Sequence, residues 1–277
     1  MGALISFDKL ADVANNLINK LSAGAGWIAT RETPHRQAIS TYIEEIQNSE
    51  ISPLTKAALI TNAKKTIKEY CNQYNIVGYA INSLASTSQP DSIDEDWLAQ
   101  FMDKARLVSN PEFQMIWGKI LAGECDAPGS TPKSLLSTLE LLDKKTAEKF
   151  MAVASVSVWY IDDGKKEWMP VVLQEHFDYY QSVGITYDSI WELTSLGLIK
   201  DEFGLGSEFG VKFDNATEIH YHDQTYKIGE NCNIYSGNVV FTEAGKALCA
   251  SVITEKIDGF FDKYCVPHFE KTKNNQE

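Results

Sequence analysis

Apolar side chains return every three or four positions along the first 160 residues, the period of helices with one buried face. Residues 4–28 place Phe7, Leu10, Ala14, Leu17, Ile18 and Leu21 on such a face. Gly24 and Gly26 end this helix, and Trp27-Ile28 follow as an apolar tag. Its polar face holds only Asp8, Lys9, Asp12 and Lys20. A helix lying on a membrane carries more cations, so packing on the rest of the protein or on a second copy is expected. A second helix is predicted over about 36–48. The third has a defined start, with Ser52 as N-cap and Pro53 at the first helical position. From there Leu54, Ala57, Ile60, Ala63, Ile67, Tyr70, Tyr74, Val77, Ile81 and Leu84 form one long stripe.

A polar link with Pro90 leads to Ser92-Ile93-Asp94-Glu95, which has the form of a capping box. The helix it announces turns Trp97, Phe101 and Ala105 to one side. Ser109-Asn110-Pro111-Glu112 starts the next, whose buried face is Phe113, Ile116, Trp117, Ile120 and Leu121. Thr131-Pro132 opens a helix with Leu135, Leu136, Leu139 and Leu142. Asp143 caps one with Ala147, Phe150, Met151 and Ala154.

Near residue 160 the rhythm changes. Val156 to Ile161 is rich in strand formers, and Asp162-Asp163-Gly164 signals a turn. A helix is predicted over 172–182, and Thr186 starts another with Tyr187, Ile190, Leu193 and Leu196, stopped by Gly197. Strands are predicted over about 209–213, 217–222, 225–229 and 237–241. Thr242-Glu243-Ala244-Gly245 then caps a long final helix through Leu248, Val252, Ile257 and Phe261. The fold class expected is mainly α with a smaller α+β part. A helical bundle domain covers 1–160, and a winged-helix-like module with a long C-terminal helix covers 161–277.

Charge refines that picture. The formal charge is −13, unevenly placed. Residues 1–90 carry 8 basic and 7 acidic groups, residues 91–165 carry 8 and 13, and residues 166–277 carry 9 and 18. An anionic surface repels phosphate backbones, so nucleic-acid binding by the whole molecule is disfavoured. Lys56, Lys64, Lys65 and Lys68, on the outer face of the third helix, are the candidate anion-contacting face, with a solvated surface as the alternative. In a winged helix, the helix ending at Leu196-Gly197-Leu198-Ile199 lies beside or in the DNA groove. Here that helix offers Tyr187, Asp188, Ser189, Glu192, Thr194 and Ser195, with no Lys or Arg before Lys200. Base reading leans on cations and amides, so the module is expected to dimerise or to bind protein.

Glu124 is the residue with the sharpest chemical question. It continues the apolar face of Trp117 and Ile120, where a carboxylate needs a partner; Lys104 or Arg106 on the preceding helix are candidates. It is either a structural tie to the Pro128-Gly129-Ser130 turn or an acid, base or ligand in a pocket with Trp97, Lys104 and Trp117. A lone carboxylate is weak evidence for catalysis. His220 and His222 share a predicted strand beside Asp223, a pair that becomes a metal site only with a third ligand, such as His176 or His268. Gly204-Leu205-Gly206 lacks the strand-to-helix setting of a phosphate loop, and no nucleophile elbow or His-Glu-x-x-His helix occurs. No catalytic residue, metal or cofactor is expected.

Cys71, Cys125, Cys232, Cys249 and Cys265 are odd in number and scattered, as in a reduced cytoplasmic protein. No apolar run reaches the length of a membrane span, so no integral membrane association is expected. The opening residues lack the pattern of a signal peptide, although Met-Gly-Ala-Leu-Ile-Ser fits the short N-myristoylation pattern.

One stretch carries a family resemblance. Asp96-Trp97, Phe101, Lys104-Ala105, Val108-Ser109, Gln114, Trp117, Leu121-Ala122-Gly123-Glu124 and Pro128-Gly129-Ser130 resemble the core motif of a bacterial family known as domain of unknown function 2806. The similarity extends upstream through Glu69-Tyr70, Asn72, Asn75-Ile76-Val77 and Ala80. Downstream it runs through Leu193, Leu196-Gly197-Leu198-Ile199, Gly237-Asn238-Val239 and Phe241-Thr242-Glu243-Ala244-Gly245. The resemblance implies a bacterial intracellular protein. Similar helical families occur near abortive-infection and mobile-element genes. Trp97, Phe101, Lys104, Ser109, Gln114, Trp117 and Glu124 are accordingly the candidate pocket or structural motif. Three readings stand open: a non-enzymatic interaction or self-association module set in phage defence or a mobile element; a winged-helix transcription or nucleic-acid regulator; and a small-ligand sensor or enzyme with a pocket around Glu124.

Overall fold

The computed structural model describes residues 2–29, 36–205 and 207–274. They are mainly helical, with a smaller antiparallel sheet part. Two compact units divide the chain, Met1–Leu136 and Ser137–Glu277.

The first unit is all helix: α1 (Gly2–Ala25), α2 (Arg36–Asn48), α3 (Pro53–Ser83), α4 (Glu95–Ala105), α5 (Pro111–Asp126) and the start of α6 (Lys133–Leu141). Side chains of residues 2–8, Phe7 among them, lie outside the described residues. Beyond these, α1 buries Val13, Leu17 and Leu21 and packs on α4. Ser52 caps α3 as expected, its hydroxyl accepting from the Thr55 amide with Pro53 at the first position. The capping box does not form at Ser92. Pro90–Ser92 make one 3-10 turn, and Asp94 caps α4 by accepting from the Trp97 amide at 2.8 Å. A carboxylate is favoured there because it also meets the positive end of the helix dipole. Asn110 caps α5, accepting from the amides of Glu112 and Phe113.

Helices α3 and α5 cross so closely that Gly118 has no room for a side chain. A Cβ there would sit 2.4 Å from the Tyr79 Cβ and 2.9 Å from the Ile76 carbonyl oxygen. Packing along this crossing buries Ile76, Val77, Ala80, Trp117, Ile120 and Leu121.

The second unit starts in α6 and continues with α7 (Lys144–Ser155), capped by Asp143. A hairpin of β1 (Ser157–Asp162) and β2 (Lys165–Pro170) follows, then α8 (Phe177–Ser182), α9 (Tyr187–Ser195) and β3 (Ile199–Asp201). Next come β4 (Phe209–Phe213), β5 (Thr217–Tyr221), β6 (Gln224–Ile228), β7 (Cys232–Gly237) and β8 (Val239–Phe241). The unit closes with α10 (Glu243–Ser251) and α11 (Val266–Asn274). The first hairpin turns on Asp163 (φ 45°) and Gly164 (φ 76°), the left-handed pair of a two-residue turn. Four strands pair in the order β2-β1-β5-β6; β3 pairs with β8 and β4 with β7. Val172 bridges to Gly237, which has φ 93° and lies so close that a Cβ would meet the Val172 oxygen at 2.2 Å.

The long final helix breaks. α10 stops at Ser251, and helix resumes only in a π turn over Phe261–Cys265 leading into α11. Val252-Ile253-Thr254 supply three β-branched residues at the break, and Gly259 takes φ 73°, outside the helical region. Strand β2 is absent from the sequence expectation because Lys-Lys-Glu-Trp-Met-Pro does not alternate. It is recruited by register, with Trp159 opposite Trp168.

Candidate functional site

Glu124 sits near the C-terminal end of α5, almost fully enclosed at 1% exposure. Its two oxygens accept from the amides of Gly129 (2.5 Å) and Thr131 (2.8 Å). The carboxylate therefore holds the chain that leaves α5 and turns at Gly129, whose φ is 83°. Trp97 completes the tie from α4, its indole Nε1 donating to the Thr131 oxygen at 3.0 Å. Below lie Phe101, stacked 5.1 Å from Trp97, and Trp117, tilted 5.2 Å from Phe101. Charge-assisted bonds to two backbone amides account for a buried carboxylate. Arg106, one of the two partners expected for Glu124, instead bonds Glu69 at 2.8 Å and Asp103 at 2.9 Å. The neighbouring Cys125 thiol is pushed up to about 12, chiefly by burial and then by Asp126 and Glu124.

Gln114, at 3% exposure, organises a second polar knot at the start of α5. Its amide donates to Asn72 Oδ1 (3.2 Å) and to the Val108 oxygen (2.8 Å), and its oxygen accepts from Asn75 (3.2 Å). Asn72 and Gln73 in turn donate to the Arg106 and Met102 oxygens. Asn72 and Gln73 thus satisfy carbonyls at the end of α4, where a helix leaves acceptors unpaired, and Gln114 satisfies one just beyond it. Lys104 is half-buried and Ser109 exposed beside the Asn110 cap. Two surface clefts, one of about 370 Å³ lined by Ile18, Trp27 and Tyr74 and one of about 300 Å³ around Tyr160 and Asp214, include none of the seven motif residues.

The lysine face is spread over the first half of α3. Lys64, Lys65 and Lys68 are exposed, Lys65 reaching Glu69 at 3.8 Å. Lys56 is half-buried and donates to the Gln47 oxygen at 2.6 Å. Through its first five turns α3 buries no side chain, Asn72 being the first. Leu54 is 81% exposed and Leu59 40%.

In the second unit, α9 opens on a capping box of Thr186 and Ser189, and Ile190 and Leu193 pack inward. Its outward residues include Tyr187, 47% exposed, and Trp191, 70% exposed. Sequence reasoning named Tyr187 here but passed over Trp191, which breaks no pattern and stands out only by its exposure. Asp188 and Glu192 are engaged by α7: Lys149 bonds both, Asp188 at 2.5 Å, and Thr146 donates to Glu192. Lys149 hydrogen bonds hold both carboxyls below their usual range. Tyr187 lies against Phe177 at 4.2 Å and Phe203 at 5.8 Å, and Leu205, two residues on, is 74% exposed.

The histidine pair does not share a strand. His220 stacks on Trp159 at 4.1 Å and bonds the Thr225 hydroxyl, whereas His222 lies in the following turn at φ 50°. Among the described residues no three His, Cys, Asp or Glu side chains group as metal ligands. No described helix is long and apolar enough to cross a membrane. Gly206 and Met1 lie outside the described residues.

Residues 61–264 match the sequence profile of a family described as a protein of unknown function, DUF2806. The chain belongs to this family. No curated protein and no solved structure matches it. The DUF2806 match takes in both polar ties, Lys64 to Lys68 and all of α9, and leaves Leu54, Lys56 and Leu59 before its start.

Proposed function

We propose that this DUF2806 protein is a non-enzymatic interaction module that engages another protein or a second copy through the exposed face of α9. The observation that carries this reading is Trp191, 70% exposed on a helix that also offers Tyr187. Tryptophan and tyrosine dominate the energetics of protein interfaces, and a solvent-exposed indole on an ordered helix stands ready for one. With Asp188 and Glu192 drawn back onto Lys149, the face is aromatic more than acidic. The motif residues support the same reading from the other side: Trp97, Gln114 and Glu124 have backbone partners that account for their burial. A setting in phage defence or a mobile element, inside a bacterial cytoplasm, is part of the proposal and rests on the family resemblance alone.

A photo-crosslinking side chain placed at Ser195, one turn beyond Trp191, tests the reading in the natural host. A protein adduct that disappears on Trp191→Ala is expected. Adducts equally abundant without the indole would overturn it.

The winged-helix regulator is the second reading. In its favour, β3 and β8 pair, Val172 bridges to Gly237, and helices α8 and α9 precede this small ladder. Against it, α9 carries no Lys or Arg. Fluorescence anisotropy with duplex DNA at low salt separates the two, because phosphate contacts give a steep salt dependence. Absence of binding there ends the regulator reading.

A further inference from the structure

The first half of α3, packed along one side by α2, and the face of α9 differ in charge and each carries exposed apolar side chains. Over residues 50–69 there are four lysines and two acids, Glu50 and Glu69, the latter bonded to Lys65. Over residues 177–205 there are five acids, Asp178, Asp188, Glu192, Asp201 and Glu202, and one base, Lys200. Each segment presents large apolar side chains to solvent: Leu54 and Leu59 on the first, Tyr187, Trp191 and Leu205 on the second. Lys149 offsets part of the charge around α9, yet Asp188 remains 79% exposed at the side chain while bonded to it.

We infer that the first half of α3 in one copy docks on the α9 face of a second copy, head to tail. This rests on the interaction reading above and names its partner. Leu54, on the same side of α3 as the lysines, covers the exposed aromatic residues, while Lys64, Lys65 and Lys68 meet the acidic rim. An isologous pairing of α9 with α9 would bring Asp178, Asp188 and Glu202 of two copies together, and pairing α3 with α3 would oppose the lysines. The unlike pairing removes both repulsions. Because the two faces are different surfaces, a docked pair leaves one of each free, so the contact continues as a ring or an open chain.

Sedimentation of the full chain reads this directly. The mass average is expected to rise above the 31.0 kDa protomer with concentration. It should fall back as salt goes from about 0.1 M to about 1 M, where the screening length shrinks from about 10 Å to about 3 Å. Two surface variants, K64E/K65E/K68E and W191A, should each sediment as a monomer with an unchanged melting temperature. Mixed in equal amounts they should form a dimer and nothing larger, since each retains one intact face. A wild-type chain monomeric at every concentration overturns the inference, as does an assembly that salt strengthens or that survives both variants. So does a mixture that stays monomeric. Monomeric behaviour together with a Trp191-dependent host adduct would overturn the head-to-tail contact and leave the interaction reading standing.

Discussion

The two units stabilise their interiors by different means. In the first, 12 basic and 15 acidic residues nearly balance, and buried polar side chains are directed at backbone groups. Glu124 reaches two amides, Trp97 one carbonyl, and Gln114, Asn72 and Gln73 the end of α4. In the second, 13 basic residues face 23 acidic ones, and the interior is aromatic: Tyr179, Tyr180, Tyr221, Phe260 and Tyr264 lie within 4.0–6.5 Å of one another's ring centres along a chain of contacts. The hydroxyl of Tyr179 has no hydrogen-bond partner among the described residues. Small buried polar side chains bond the backbone in the second unit too, Ser157 reaching the Val153 oxygen and Asn238 that of Ser207, so what sets it apart is the ring packing that carries its tyrosines inward.

Breaking each kind of interior should therefore cost differently. Trp117→Ala removes the indole beneath Phe101 and should destabilise the protein by about 3–5 kcal/mol in urea unfolding. Glu124→Gln keeps one acceptor oxygen and withdraws the second from either Gly129 or Thr131. A loss of about 1.5–3 kcal/mol is expected, the worth of a charge-assisted bond, with no change in any host adduct at Ser195. Gly118→Ala forces a methyl against Tyr79 and the Ile76 carbonyl, an overpacking of about 1–3 kcal/mol.

A pH titration sharpens the contrast. His268 is buried at 5% exposure, and burial lowers its pKa from the ordinary 6.5. Glu208, whose oxygen lies 3.5 Å from Nε2, and Glu175 oppose that shift, while Lys271 and His176 add to it. The unfolded chain then binds the proton more readily, so stability is complete above about pH 6.5 and declines as pH falls toward the folded-state value. His268→Leu should flatten that slope, measured by thermal melting between pH 7 and 5. The smallest effect is expected at Lys64→Ala, an exposed position on α3, within about 0.5 kcal/mol of wild type.

Much of the helical half was legible because local rules decide it. Ser52-Pro53, Asn110-Pro111 and Asp143 begin helices where their side chains can accept amides, and all three do. Glu124 was legible as an anomaly, a carboxylate on an apolar stripe, and the turn it holds as one of its two readings, but not the individual partners. Those are backbone amides, which carry no residue signature. The Asn72–Gln114 knot was hidden for a related reason, since amides on a helix read as surface until a neighbouring helix end covers them. In the mixed half, β2 and β3 escaped because pairing partners, rather than alternation, make them strands. Trp191 escaped because an apolar residue in an amphipathic helix is taken as interior, and only the folded unit shows that Ile190 and Leu193 fill that role.

The cysteines turn out to offer a practical handle. Cys125, Cys232, Cys249 and Cys265 are buried, and Cys71 alone of the five is half-exposed. Burial holds the thiols of Cys125 and Cys249 near 12, where almost no thiolate forms. A maleimide given to the folded protein should thus modify one position, on α3 a turn past Lys68. A fluorophore there would report on the lysine-bearing half of that helix without any cysteine having to be engineered in or out.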